Sequence, residues 1–172
     1  MDDQLTQLSA AVGTACQQHQ LATPPITIAA AESCTGGWVA QVITHTAGSS
    51  AWFDRGFVTY SNQAKIDMLG VRAATLEAHG AVSLETAGEM AVGALINSQA
   101  QISLAITGIA GPAGGSPDKP VGTVCFAWCI QKQNETATRT ERCVFGGDRE
   151  SIRRQAVIHA LQGLLSRINE MN

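Results

Sequence analysis

A repeated order constrains this chain most: a short apolar run of β type, a polar turn containing glycine, then a stripe of helical period. Ile26-Thr27-Ile28-Ala29-Ala30 reads as a strand, Glu32-Ser33-Cys34-Thr35-Gly36-Gly37 as the turn, and about Gly37 to Thr46 as the helix. Ahead of them, Asp2 to His19 is an amphipathic helix with Leu5, Leu8, Val12, Ala15, Cys16 and His19 on its stripe, ended by Thr23-Pro24-Pro25. Trp52 to Tyr60 has strand character. Ser61 is placed to cap a short helix through Met68, which Gly70 stops, and Ala73 to Ala78 makes another. Ser83 opens a longer helix to about Ser98, with Ala87, Met90, Ala91, Ala94 and Leu95 on one face. Ile102 to Thr107 is a strand running into a glycine-rich stretch. Val121 to Ile130 and Thr138 to Phe145 are two more, joined as a hairpin around Asn134. Asp148 caps a final helix whose stripe is Ile152, Ala156, Val157, Leu161, Leu164, Leu165 and Ile168. Strands alternating with helices predict a three-layer α/β/α sandwich around a mixed, mostly parallel sheet.

The 172 residues suit one domain spanning 1–172, and 45% hydrophobic content with 15% charged residues excludes general disorder. The net charge is −3 and the 11 Lys and Arg are scattered, so no footprint for nucleic acid is expected. The start, Met1-Asp2-Asp3-Gln4, lacks the basic and apolar segments of a secretory signal. No apolar run approaches the roughly 18 residues of a membrane span. Cys16, Cys34, Cys125, Cys129 and Cys143 are odd in number and form no CxxC, which fits reduced thiols in a cytoplasmic protein. Self-association is left open, through a partly exposed region around Trp38, Trp52 and Phe53.

Chemistry gathers at the ends of the strands, where ligands bind in open α/β sheets. In the first turn the amides of Thr35, Gly36 and Gly37 lack intrahelical acceptors and can hold an anion or a developing oxyanion. A hydroxyl just before them, Ser33, is placed to be a nucleophile; the other reading is that Ser33 or Thr35 caps the helix. Such a serine needs a base. His19, His45, His79 (in a turn) and His159 show no partner at triad or ligand spacing, and with neither HxxxH nor CxxC no metal site is expected. Lys65, one turn after Tyr60, can return over the sheet end toward Ser33 or lie exposed on its short helix. As a base at neutral pH it needs its pKa lowered by about 3 units, on the order of 4 kcal/mol, which desolvation can supply. The stretch from Gly108 through Gly111 to Gly115 follows Thr107 at a strand end. It matches neither GxGxxG opening a helix nor a P-loop; it is either backbone that approaches a ligand or a plain connection. Arg149 sits in the first turn of the last helix, against the dipole, and is either kept for a ligand anion or solvated.

Taken in order, the motifs Glu32-Ser33-Cys34-Thr35-Gly36-Gly37, Gly48-Ser49-Ser50 with Trp52-Phe53, Val58-Thr59-Tyr60-Ser61-Asn62 with Lys65 and Leu69-Gly70-Val71, Gly80-Ala81-Val82-Ser83, Ile106 to Pro112, Lys119 to Val124 and Gly147-Asp148-Arg149 closely resemble the CinA C-terminal domain family. The match covers roughly residues 5 to 168. The family includes amidases of nicotinamide mononucleotide (NMN), and its larger members add an amino-terminal molybdopterin-binding-like domain, so the chain resembles a stand-alone member. The resemblance implies hydrolysis of the NMN carboxamide to nicotinic acid mononucleotide and ammonia, in pyridine nucleotide salvage, with no metal or organic cofactor. It implies Ser33 as nucleophile and Lys65 as base with Tyr60 beside them, and Thr107 with the following glycine loop as substrate-binding elements. Some members of the family have weak or no amidase activity. The competing expectations are a silent nucleotide-binding module linked to competence, and an amidase for another pyridine nucleotide.

Overall fold

The computed structural model describes residues 2–18 and 26–171. Its elements in order are α1 (Asp3–Gln18), β1 (Ile28–Glu32), α2 (Trp38–His45), a 3₁₀ turn (Ser49–Ala51), β2 (Phe53–Val58), α3 (Asn62–Leu69), α4 (Ala73–His79), α5 (Leu84–Ile96), β3 (Ile102–Gly108), β4 (Thr123–Lys132), β5 (Glu135–Val144) and α6 (Arg149–Glu170). They build a five-stranded sheet in the order β2-β1-β3-β4-β5. β1 is parallel to both β2 and β3, whereas β4 is antiparallel to β3 and to β5. Only β4 therefore runs against the other strands, as expected of a mixed, mostly parallel sheet.

The two faces of the sheet differ in side-chain size. Ile28, Ala30, Ile102, Leu104, Ile106, Val124, Phe126 and Trp128 point to the side covered by α1, α2 and α6. The intervening Ala29, Ala31, Ala105, Cys125, Ala127 and Cys129 point to the side covered by α3, α4 and α5. Period-two alternation separates the two sets. Small residues on the second face let α5 lie close to the sheet, and Ser103 Oγ donates to the Ala91 carbonyl at 2.6 Å across that contact. On the bulky face Trp128 stacks on Phe126 and its Nε1 donates to the Ala160 carbonyl of α6 at 3.1 Å.

Several sequence expectations shift. β1 starts two residues later than predicted and carries Glu32 inside the strand, because Ala31 and Glu32 keep pairing with Phe57, Val58, Ala105 and Ile106. His79 closes α4 rather than lying in a turn. Trp52 is only 1% exposed, folded under α1 against Gly13, so it is no part of a surface patch. His19 and Thr23-Pro24-Pro25 lie outside the described residues. The caps hold as expected: Ser61 Oγ accepts from Ala64 N, Ser83 Oγ from Thr86 N, and an Asp148 carboxylate oxygen from Ser151 N. All five cysteines are free thiols, and only Cys143 is not buried. Among the described residues, no helix is long and apolar enough to cross a membrane.

Candidate active site

The site is built at the carboxyl ends of β1 and β2. Parallel pairing continues one residue past each strand: Ser33 N donates to the Ile106 carbonyl at 3.0 Å and Thr59 N to the Glu32 carbonyl at 2.8 Å. These bonds fix Ser33 and Thr59 side by side on the rim. The chain then turns into α3, and Lys65 in its first turns runs back beneath the rim. Its Nζ lies 3.0 Å from Ser33 Oγ and donates to the Thr59 carbonyl at 2.8 Å. Lys65 is 1% exposed and Ser33 8%. Of the two readings of Lys65, the return over the sheet end toward Ser33 is the one the structure shows, and the exposed lysine is not. Burial pulls the Lys65 ammonium below the ordinary lysine range, while the neighbouring Cys34 acts weakly in the opposite direction. No acidic side chain bonds to Lys65 among the described residues. Thr59 Oγ1, on the same segment, is buried with no hydrogen-bond partner.

Cys34 follows Ser33 and could compete with it as a nucleophile. Burial pushes its thiol up to about 12, so at neutral pH it stays protonated and unreactive. The hydroxyl has the amine; the thiol does not.

The turn into α2 departs from the sequence expectation. Of the three amides expected to face a ligand, Gly37 N is taken by the buried Glu32 carboxylate and Gly36 N by the Ser33 carbonyl, which leaves that of Thr35. Glu32 Oε2 takes Thr35 Oγ1 at 2.6 Å, Gly37 N at 3.1 Å and Val39 N at 3.1 Å, and Oε1 takes Ala40 N at 2.9 Å. The Gly36 amide donates to the Ser33 carbonyl at 3.0 Å. Gly36 and Gly37 have φ of 61° and 93°, left-handed values that let the chain wrap this carboxylate. Among Cys34, Thr35, Gly36 and Gly37, the amides without a partner in another residue are those of Cys34 and Thr35. Sequence reasoning passed over Glu32 as a structural group. The signal was available as an acid five residues before a helix N-terminus, where its charge meets the positive dipole end.

Tyr60 is 65% exposed and its hydroxyl accepts from Arg149 Nη2 at 3.3 Å rather than meeting Ser33 or Lys65. Arg149 Nη1 donates to the Gly111 carbonyl at 2.7 Å. Four residues on, Arg153 donates to the carbonyls of Cys34 and Thr35, both at 3.0 Å, and its guanidinium lies 5.3 Å over the Trp38 ring. Trp38, Arg149, Glu150 and Arg153 line a cleft of about 390 Å³ beside the Ser33 turn. Arg153 was not anticipated, and Trp38 only as part of an exposed region; no periodicity marks them for the site, because only the fold brings the start of α6 against the β1–α2 turn.

Thr107 and the glycine loop have largely structural partners. Thr107 is buried and its hydroxyl donates to the Ala81 carbonyl at 2.7 Å. Ile109 N donates to the Thr123 carbonyl and Gly122 N to the Ile109 carbonyl, both at 2.8 Å, closing the loop on itself. A Cβ at Gly111 would stand 2.5 Å from Val121 Cγ1, and one at Gly115 2.8 Å from Val121 N. One at Gly108 would stand 2.9 Å from the Thr123 carbonyl. The loop's own packing on residues 121–124 demands these glycines, so they need no ligand to explain them.

Residues 6–168 match the family model of the CinA C-terminal domain. The chain is 56% identical over 163 residues to the nicotinamide-nucleotide amidohydrolase PncC of Escherichia coli strain K12, covering 95% of this chain and 94% of that protein. It is 51% identical to the Pseudomonas putida protein of the same name, covering 80% of this chain and 84% of that one. Among solved structures, the competence/damage inducible protein CihA of Agrobacterium tumefaciens superposes with a TM-score of 0.88 at 42% identity, covering 98% of each chain. The chain belongs to the CinA C-terminal domain family.

Proposed function

We propose that this protein is an amidohydrolase that removes the carboxamide nitrogen of NMN as ammonia, with Ser33 as nucleophile and Lys65 as its base. The observation that carries the reading is the buried 3.0 Å contact between Lys65 Nζ and Ser33 Oγ. The name of the E. coli relative, at 56% identity, supports the substrate class.

The chemistry follows from the partners of the amine. A neutral lysine has two N–H bonds and one lone pair. The Thr59 carbonyl takes one N–H, which turns the lone pair toward the Ser33 hydroxyl. Lys65 removes that proton as Ser33 Oγ attacks the amide carbon. The oxyanion is received by the Cys34 and Thr35 amides, each worth about 3 kcal/mol in the transition state. Protonated Lys65 then gives its proton to the departing nitrogen, ammonia leaves, and water repeats the sequence on the acyl-enzyme. The positive pyridinium ring of NMN adds a cation near the amine and favours its neutral form.

The cleft of Trp38, Arg149 and Arg153 holds the rest of the nucleotide, with Arg149 on the 5′-phosphate and the pyridinium-bearing end turned to Ser33. Tyr60 orients Arg149 through its hydroxyl.

The test is ammonia release on mixing the protein with NMN, for wild type and Ser33→Ala. Release by wild type and none above buffer by the variant is expected. Tight NMN binding by wild type without release would make the chain a binding module instead. Release from nicotinamide riboside but not NMN would remove the phosphate-binding part of the proposal.

A further inference from the structure

A second chemical cluster sits on the bulky face at the sheet edge, sharing no residue with the Ser33 site. Glu141 and Cys143 are two apart on the edge strand β5, so both side chains project toward α6. His159 on α6 meets them. Cys143 Sγ is 3.6 Å from His159 Nε2, His159 Nε2 is 3.3 Å from Glu141 Oε2, and Cys143 Sγ is 3.9 Å from Glu141 Oε1. The imidazole is held in place by the rings of Phe126, Phe145 and Trp128, with centroids 4.6, 6.0 and 6.1 Å away. No motif spacing joins these residues; the strand–helix packing does.

Tetrahedral zinc with bonds of about 2.0–2.3 Å sets its N, O and S ligand atoms about 3.4–3.6 Å apart. Cys143 Sγ and His159 Nε2, 3.6 Å apart, stand at one such edge, and a carboxylate oxygen of Glu141 lies within 4.8 Å of both. As a purely hydrogen-bonded group, a thiol and a neutral imidazole bring two protons to three mutual contacts, so one contact is left without a proton. A cation at the centre satisfies all three. The ligand set also balances charge, since a divalent ion meets one thiolate, one carboxylate and a neutral imidazole.

We propose that Glu141, Cys143 and His159 form a binding site for one thiophilic divalent cation of the zinc class, with a fourth position open to water. Binding forms the metal–sulfur bond and releases the thiol proton to solvent; no electron is transferred. The bound ion ties the edge strand β5 to α6. Glu141 is solvent-exposed, which leaves a path of entry.

The test uses Co²⁺ as the probe, added to the full chain after treatment with a chelator. One equivalent is expected to produce a thiolate-to-cobalt charge-transfer band, and Zn²⁺ to abolish it by displacement. The other cysteines are buried, so the band reports Cys143. Cys143→Ser loses the band. Glu141→Gln, at an exposed position, keeps the fold by circular dichroism and weakens binding on the order of tenfold or more. Ser33→Ala binds as wild type does. No band in wild type, or an undiminished band in Cys143→Ser, overturns the proposal.

Discussion

Two strand-to-helix turns meet at the same rim of the sheet and are built in opposite ways. The β1–α2 turn is buried from Ser33 through Thr35. Its helix N-terminus is taken up by Glu32, a carboxylate 1% exposed, and beside it one hydroxyl is held against one amine. The β5–α6 turn is exposed. Its helix is capped by the Asp148 side chain, and the same helix sends Arg153 across to the first turn and Arg149 to Gly111 and Tyr60. One turn encloses its polar groups; the other is open and carries a cation in its first helical residue. The difference shows that a helix N-terminus is not by itself an anion site. At α2 the protein's own acid already occupies it.

The comparison is most easily broken at Ser33. Ser33→Ala is expected to cut NMN turnover on the order of 10⁴-fold or more while NMN binding, measured calorimetrically, stays within a few-fold. Lys65→Arg is expected to be as damaging as Lys65→Ala, roughly 10²- to 10⁴-fold in kcat, because a guanidinium gives up no proton near neutrality. An active arginine variant would move the base elsewhere. On the open turn, Arg149→Gln is expected to raise KM for NMN roughly 10- to 100-fold with a smaller change in kcat, the pattern of a lost charge-assisted bond to the ground state. If kcat falls and KM does not, Arg149 serves the chemistry instead of the phosphate.

Two smaller effects sharpen the contrast. Glu32→Gln turns an amide NH₂ toward backbone donors, and is expected to cost about 1–3 kcal/mol of stability, read as a lower Tm. Asp148→Ala removes a solvent-exposed cap and should lower Tm less. The pH dependence of kcat/KM has a definite sign. Below its own pKa Lys65 is protonated and has no lone pair, so the rate rises with pH and levels off once the amine is neutral. Because burial lowers that pKa, the rising limb lies below the ordinary lysine range. A limb at the usual lysine value would mean the base is solvated during turnover.

Legibility in the sequence varied with the range of the contacts. Ser61, Ser83 and Asp148 were readable as caps because a cap is satisfied within three residues of itself. The helical stripes were readable for the same reason, and with them the layer order. Strand ends were harder: β1 extends to Glu32 because its neighbours β2 and β3 continue to offer partners, a property of three strands together. Ser33 and Lys65 could be named as candidates, and the family motifs singled them out, but their 3.0 Å contact spans 32 positions of chain. Arg153 over Trp38, and Cys143 against His159, were not visible from any local pattern.

By itself the chain's residue order determined the alternation of strands and helices, the two unequal faces of the sheet and the small, polar rim where a reaction can occur. These follow from side-chain period, size and local hydrogen bonding. Only the tertiary structure decided that Glu32 is spent on the helix it precedes, that Lys65 is dried and aimed at Ser33, and that α6 brings Arg153 to that turn. The physical reason is that desolvation and electrostatic pairing depend on which groups exclude water from one another, and those groups are far apart along the chain.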